Sequence, residues 1–432
     1  MMQSPRVAEG EVAGFIATLR SGGWLTWQRL VGYSLCTLAV SLAGLVYVLA
    51  TSDGLNDYQG RPIGSDFSHV YAAGTYVREG NPTAPFDWPA EFKREKEIFG
   101  AQTQFYGWHY PPFFLFIAGA LATMPYQLAL LVWQLVTLVL YLVAIRAILF
   151  STSPQKPEAI GHVWLLIAFA YPAVFINIGH GHNGFLSAAL IGGGLALIDR
   201  RPAIAGVLFG LMAYKPQFGV LIPLVLIASG RWRVFAAAAI TVVLLTIAAT
   251  AAFGLDVWRA FFDSMRLTRS VVLEEGATGW YKIQTIFSWV RMWGGSIALA
   301  YAAQAAVALA VMVALMRLWW RKTAYPLQAA AFAIGTILVT PYSLDYDLML
   351  LAPAIAFLAS DGLSRGFGPW EKTALAVLWF MPLVARSIAQ YAFIPVGVLS
   401  MLAMFALVLR YAQSDVGTRS ADEEILSSRH RA

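Results

Sequence analysis

The feature that most constrains this chain is a series of apolar stretches separated by short loops that contain Lys and Arg. A helix that crosses the hydrocarbon core of a bilayer needs about 20 predominantly apolar residues. The pattern therefore predicts an all-α polytopic integral membrane protein with about twelve transmembrane helices, several of them short. The predicted spans are residues 31–50, 126–150, 162–178, 185–198, 202–213, 216–228, 234–253, 296–318, 325–340, 348–359, 373–389 and 393–411.

The composition agrees with this class. Only 12% of the residues are charged, whereas soluble domains carry about 25% charged residues. The net charge of +6 is spread over short clusters between the spans, and no polybasic groove indicates nucleic acid as a partner. The single cysteine, Cys36, lies inside an apolar span, so no intramolecular disulfide can form.

The basic clusters lie in alternate loops, which predicts the orientation of the chain. Loops rich in Lys and Arg face the cytoplasm, so both termini are expected inside a multi-pass protein of the cell membrane. This register requires that residues 111–124 do not cross, and we expect a re-entrant or interfacial helix there. The clusters are Arg146 with Lys156, Arg200 with Arg201, Arg231 with Arg233, Arg317 with Arg321 and Lys322, and Arg365 with Lys372.

Three segments follow from this topology. Residues 1–30 are predicted to be a cytoplasmic N-terminal segment, residues 31–411 the transmembrane domain, and residues 412–432 a disordered cytoplasmic tail. Two long outer loops, 51–125 and 254–295, belong to the second segment. The unusual polar motifs collect on the outer side, so we expect a catalytic or binding site that faces outward.

Asp66 lies in the first outer loop, within the polar stretch 64–71. An acidic side chain at the membrane boundary is placed to accept a proton from a sugar hydroxyl. The alternative is that Asp66 only caps a helix running to about residue 77, because Asp before an apolar-periodic run is a common cap. Further along the same loop, alternating charges over residues 91–97 predict a solvated surface helix.

Lys215 lies in the stretch 202–228, which is otherwise almost uncharged. An ammonium group near hydrocarbon is costly unless it is paired. Either Lys215 extends to the outer interface, or it binds a lipid phosphate. Pro216 breaks the helix beside it and leaves backbone N–H groups free for an anion, and Gln217 follows as a further polar candidate.

His180, His182 and Asn183 lie in a glycine-rich turn between two spans. Two histidines with a distant carboxylate resemble a zinc site only weakly, because no third ligand is close in sequence. Neutral imidazole and amide groups can also recognise sugar or phosphate. The remaining alternative is a polar turn without a function.

The long loop 254–295 combines basic and aromatic residues. Aromatic rings can stack on sugar faces and basic groups can hold phosphate, although an interfacial helix facing anionic headgroups would look the same. The basic candidates are Arg266, Arg269 and Lys282, with Trp258, Trp280 and Tyr281 beside them.

Asp345 and Asp347 flank Tyr346 between two later spans. They are candidates for substrate binding, and the alternative is a solvated loop with a helix cap.

The order of these motifs resembles a known family. An acidic residue in the first outer loop is followed by Tyr110-Pro111-Pro112 opening a short helix, then by the Gly-polar-Asn turn, then by Lys-Pro-Gln between spans. Together they resemble the bacterial GT-C glycosyltransferases of family 87, which look like polyprenyl-phosphate-mannose-dependent mannosyltransferases. The resemblance extends from about Asp66 to Asp347.

The resemblance implies a GT-C fold and an inverting transfer of a hexose, with mannose expected, from a polyprenyl-phosphate donor to a lipid or glycan acceptor. Asp66 corresponds to the catalytic base of the superfamily, and Lys215 to a lysine that contacts the donor phosphate. Relatives that transfer oligosaccharides carry a metal-binding acidic pair where this chain has the turn at His180. That departure argues against a required metal, and no other cofactor is expected.

Two other classes of protein stay open at this point. A flippase or transporter of lipid-linked sugars would show charges at mid-membrane and internal repeats, and the sequence shows neither. A non-catalytic membrane assembly factor would need neither Asp66 nor Lys215.

Overall fold

The computed structural model describes residues 5–151, 161–321 and 323–429, and every regular element in these ranges is a helix. The all-α prediction is confirmed. The α-helices are α1 (Pro5–Ser21), α2 (Trp27–Ala50), α3 (Ser65–Arg78), α4 (Trp88–Phe99), α5 (Leu115–Leu121), α6 (Tyr126–Ser151), α7 (Val163–Phe169), α8 (Pro172–His180), α9 (Gly184–Leu197), α10 (Pro202–Leu211), α11 (Pro216–Gly219), α12 (Leu221–Ala228), α13 (Trp232–Phe253), α14 (Asp256–Thr268), α15 (Ile286–Met292), α16 (Ile297–Trp320), α17 (Tyr325–Leu338), α18 (Leu351–Arg365), α19 (Glu371–Ala392) and α20 (Val396–Arg429). Short 3₁₀ helices cover Ala84–Phe86, Pro112–Phe114, Met212–Tyr214, Trp280–Lys282 and Asp345–Leu350, and a π-helix covers Arg269–Glu274.

Seven helices in the described ranges are long and apolar enough to cross a membrane. An eighth span results if α7 and α8, which bend by 50° at their junction, are taken as one broken helix. The seven candidate spans are Trp27–Ala50, Tyr126–Phe150, Trp232–Phe253, Ile297–Trp320, Asp345–Arg365, Glu371–Ala392 and Val396–Ser414.

The predicted number of about twelve crossings is not confirmed. The other apolar helices contain 10–17 residues. At 1.5 Å per residue they rise about 15–26 Å, less than the roughly 30 Å of a hydrocarbon core. The stretch that was expected not to cross, 111–124, forms only the turn Pro112–Phe114 and the seven-residue α5.

Proline decides where several helices break. Pro172 begins α8, and Pro216 begins α11. Because a residue before proline is disfavoured in the α conformation, Lys215 adopts φ −126° and ψ 77° between two helical segments. The predicted break at Lys215 is confirmed, and it leaves this residue outside a regular helix.

Two glycine turns pass against each other beside α3. Gly64 precedes α3 with φ 71°, and Gly181 follows α8 with φ 63°. A Cβ atom added to Gly181 would lie 2.7 Å from Cβ of Phe67 and 3.1 Å from Cα of Gly64. Only residues without a side chain allow this approach, and it brings the start of α3 next to the end of α8.

The outer helix α4 differs from its prediction. Glu91 and Glu95 are fully buried, although alternating charges predicted a solvated helix. They are four residues apart and therefore share the inward face of the helix. The structure describes α20 as far as Arg429, and the disordered cytoplasmic tail over residues 412–432 stays a prediction.

Candidate functional site

Asp66 is the second residue of α3. The N-cap is Gly64, and the helix has no side-chain cap, so the hypothesis that Asp66 only caps the helix is wrong. Its Oδ1 atom lies 3.6 Å from Nδ1 of His180, and the same nitrogen lies 3.0 Å from the Ser65 hydroxyl. The Asp66 side chain is 15% exposed, so the carboxylate is held by a histidine and still open to solvent.

The electrostatic surroundings keep Asp66 ionised. Burial works to raise the pKa of its carboxyl, but His180 and His69 act in the opposite direction. The resulting pKa lies below the ordinary value of 3.8. At neutral pH the side chain is therefore a carboxylate, the state that can accept a proton.

Lys215 and Asp347 form a buried ion pair, with 2.6 Å between Nζ and Oδ1. Lys215 is 5% exposed, so it does not extend to the interface, and Asp345 and Asp347 are each 2% exposed. The solvated-loop interpretation of these two aspartates is wrong, because their segment folds under the turn that follows α8. Asp347 Oδ2 also accepts the backbone N–H of Leu344 at 3.0 Å, which helps to offset the cost of burying two charges.

The turn after α8 joins this ion pair to the loop before α5. The His182 ring stacks on Tyr346 with 3.5 Å between centroids. Its Nε2 atom lies 3.5 Å from Lys215 Nζ and 3.5 Å from the Tyr110 hydroxyl. Asn183 donates an N–H to the same hydroxyl at 2.6 Å. Five of the predicted binding residues thus meet in one polar cluster: Tyr110, His182, Asn183, Lys215 and Asp347.

A second cluster lies close to Asp66. Arg386, in α19, donates to Asp345 Oδ2 at 3.3 Å. The Arg386 guanidinium carbon and Lys282 Nζ each lie 5.9 Å from the centroid of the Tyr281 ring. Burial lowers the pKa of Lys282 and Arg386 lowers it further, while Asp345 and Asp66 act against them. Lys282 and Arg386 therefore lie at the same aromatic ring, and the influence of Asp66 on Lys282 puts this cluster in the neighbourhood of the Asp66 carboxylate.

Sequence reasoning missed Arg386. It lies inside the predicted span 373–389, and a charge within an apolar run is itself a signal of function. His69 was also missed, although it lies in the same polar stretch as Asp66; its ring stacks on Tyr110 with 5.7 Å between centroids.

Three predicted residues are not brought into the clusters. Arg266 pairs with Asp263 at 3.5 Å and Arg269 with Glu274 at 2.8 Å, with arginine side chains 85% and 70% exposed. Gln217 is half-buried in α11. The structure gives none of them a contact with Asp66, Lys215 or the turn after α8.

Within the described ranges, no group of three or more His, Cys, Asp or Glu side chains is arranged to hold a metal ion. His180 and His182 point to different partners, the first to Asp66 and the second to Tyr346 and Lys215.

The fold and the clusters define a multi-pass membrane protein with a buried polar site. The model of glycosyltransferase family 87 matches residues 108–341, and the chain belongs to this family of membrane glycosyltransferases. The resemblance seen in the motifs is confirmed. No curated protein and no solved structure matches the chain. Asp66 and Arg386 lie outside the matched residues and reach the site through α3 and α19.

Proposed function

We propose that this glycosyltransferase moves a hexose, with mannose expected, from a polyprenyl-phosphate donor to a lipid or glycan acceptor on the outer face of the cell membrane. The observation that carries the proposal is an ionised, partly exposed carboxylate, Asp66, held by His180, together with a neighbouring cluster of two cations, Lys282 and Arg386, at the Tyr281 ring. The carboxylate is suited to accept a hydroxyl proton, and the two cations are suited to bind a phosphate.

The proposed reaction is a single displacement with inversion. The acceptor hydroxyl oxygen attacks the anomeric carbon, and the bond from that carbon to the phosphate oxygen breaks with its electron pair moving to the phosphate. Asp66 takes the hydroxyl proton. A phosphate is a good leaving group, so the proposal needs no general acid.

In this proposal His180 positions the base. Its Nδ1 atom lies 3.6 Å from Asp66 Oδ1 and 3.0 Å from the Ser65 hydroxyl. A histidine held at that distance favours the ionised carboxylate and limits its rotation. The contact between Gly64 and Gly181 sets the spacing, because Gly181 directly follows His180 and Gly64 lies two residues before Asp66.

The donor phosphate is proposed to lie among three cations. Lys282 and Arg386 offer charge-assisted hydrogen bonds from the space beside Asp66, and Lys215 adds its charge from below. Lys215 already shares that charge with Asp347 at 2.6 Å, so Arg386 and Lys282 are expected to supply most of the phosphate contact. Charges that are fixed before the reaction stabilise the leaving group as it develops. The absence of a metal or cofactor requirement stays a prediction.

The experiment that tests the proposal compares Asp66→Asn with Asp53→Asn in the purified full chain. Asp53 is an exposed acid of the same loop and serves as the matched control. Asp66→Asn should bind the lipid donor and melt like wild type, yet transfer sugar about 10²–10⁴-fold more slowly because general-base catalysis is lost. A fully active Asp66→Asn protein would remove the base from the mechanism.

The outward orientation is tested separately in a Cys36→Ala background. Asn81 and Ser364 are both exposed, and the proposed topology puts them on opposite sides of the membrane. A cysteine at position 81 should react with an impermeant maleimide in intact cells, and one at position 364 only after permeabilisation. Equal labelling of both would overturn the orientation.

A further inference from the structure

A cavity of about 790 Å³ lies between α2 and the bundle formed by α6, α7, α18 and α19. Its walls are almost entirely apolar and include Tyr141, Ile145, Trp164, Ile355 and Trp379. None of the residues assigned to the candidate site lines it. Its volume is within the range of roughly 300–1,000 Å³ that is typical of ligand pockets.

The cavity lies at the opposite end of α2 from Asp66. Trp27 and Leu30, at the start of α2, line the cavity, whereas the end of α2 leads into the loop that carries Asp66. A helix of 24 residues is about 36 Å long, which is more than the hydrocarbon thickness of a leaflet. A lipid in the cavity would therefore belong to the leaflet opposite the proposed transfer site.

The packing of α2 explains why the cavity exists. The only residues of α2 that are buried are Ser34 and Thr37, while Trp27 and Tyr33 are 45% and 48% exposed. The helix touches the bundle at few points and leaves an apolar gap beside it. In a bilayer such a gap takes up a hydrocarbon chain, because water would gain no hydrogen bonds from its walls.

Two cations without a carboxylate partner in the described ranges lie near this cavity, Lys372 in its wall and Arg29 against the wall residue Trp24. Lys372 lines it, with Nζ 5.3 Å from the ring centroid of Phe367. Arg29 donates to the backbone carbonyl of Trp24 at 2.7 Å, and the Trp24 indole donates to the Thr373 hydroxyl at 2.8 Å. The neighbouring acid, Glu371, is already paired with Arg365 at 2.6 Å.

We infer that this cavity binds an anionic phospholipid, with an acyl chain in the apolar gap and the phosphate headgroup held by Lys372 and Arg29. The apolar walls select a chain, and the unpaired cations select a negative headgroup over a zwitterionic one. The site is separate from the donor site and does not depend on the proposed function.

The test measures lipid retention by native mass spectrometry of the full chain. The protein is reconstituted in nanodiscs containing equal amounts of phosphatidylglycerol and phosphatidylcholine, then extracted, and the bound lipids are counted. Wild type should retain phosphatidylglycerol preferentially. Lys372→Gln and Arg29→Gln should each reduce that preference about fivefold, and Lys93→Gln, at a cation that is 77% exposed on α4, should not.

A cavity-filling variant checks the position of the chain. Ala376 lines the cavity and is half-buried, so Ala376→Phe should reduce retention of both lipids while the melting temperature stays near that of wild type. Equal retention of the two lipids by wild type, or an unchanged preference in Lys372→Gln, would overturn the inference. So would preferential retention of a polyprenyl phosphate over phosphatidylglycerol in a competition.

Discussion

Two polar regions of this molecule lie side by side and differ in how their charged side chains are paired and how far they are exposed. The floor of the site consists of Lys215, Asp347, His182 and Tyr346. The charged groups of Lys215 and Asp347 lie 2.6 Å apart and are almost fully buried. The mouth consists of Asp66, Lys282 and Arg386, with the buried Asp345 as the partner of Arg386. There the Asp66 and Arg386 side chains are 15% and 36% exposed, and Lys282 has no carboxylate partner among the described residues.

The difference distinguishes charged side chains that stabilise the fold from charged side chains that are available to a substrate. Charges that satisfy each other in a dry environment hold segments together, because breaking one leaves the other buried and uncompensated. Charges that are partly solvated and incompletely paired can exchange their partners for a substrate. We therefore expect substitutions in the floor to affect folding first, and substitutions in the mouth to affect turnover first.

The largest effect is expected from Lys215→Met. The substitution leaves Asp347 buried without its cation, and breaking a buried pair in this way costs about 3–5 kcal/mol. Unfolding in detergent, followed by tryptophan fluorescence, measures the loss. The double variant Lys215→Met/Asp347→Leu should recover most of it, because it removes both charges. A Lys215→Met protein as stable as wild type would show that the ion pair does not hold the floor.

Arg386→Gln should act on the donor instead. Losing a charged hydrogen-bond partner costs about 1.5–3 kcal/mol, or roughly ten- to a hundredfold in affinity for the polyprenyl-phosphate sugar. The melting temperature should fall less than in Lys215→Met, because the Arg386 side chain is 36% exposed and glutamine keeps an N–H donor for the buried Asp345. Arg259→Gln, on a side chain that is 80% exposed on α14, is the matched control. Equal donor affinity in both variants would remove Arg386 from the phosphate site.

The smallest effect concerns a buried acid, which fits the comparison only if the fold favours its neutral form. Glu91 is fully buried, and neither carboxylate oxygen has a hydrogen-bond partner in the described ranges. Burial raises the pKa of Glu91 well above 4.5, and Glu95 adds to the shift. Burial also raises the pKa of Glu95 to about 7. The shift favours the neutral form of Glu91 in the fold, so this acid is no exception to the comparison.

These pKa shifts predict a pH dependence of stability. An acid whose pKa is raised in the fold stabilises the folded state fully at pH values below its ordinary pKa of 4.5. This contribution is lost as the pH rises through the raised pKa. The melting temperature should fall as the pH rises from 4.5 to about 7, because the unfolded chain has then lost the Glu95 proton while the folded chain keeps it, and the raised pKa of Glu91 adds to this fall. Glu91→Gln should lessen the fall, whereas Glu97→Gln, on a side chain that is 51% exposed, should leave the profile unchanged. A flat wild-type profile would contradict the assignment.

Local features of the fold could be predicted from the sequence, but features that depend on distant partners could not. The helical class and the break at Lys215 follow from apolar runs and proline. The burial of Asp347 could not be predicted, because its cation lies 132 positions away. Arg386 was missed because it lies inside an apolar run that predicted a membrane span. Arg266 was predicted as a site residue because the sequence around it does not show that its side chain is exposed.

The crossing of Gly64 and Gly181 has a consequence for anyone who redesigns this enzyme. A methyl group added at Gly181 would lie 2.7 Å from Cβ of Phe67 and 3.1 Å from Cα of Gly64, so it would push α8 away from α3 and change the distance between His180 and Asp66, the proposed base. Engineering for a new acceptor should therefore leave these turns untouched and vary the loop around Tyr281, where space beside the carboxylate can be changed without moving it.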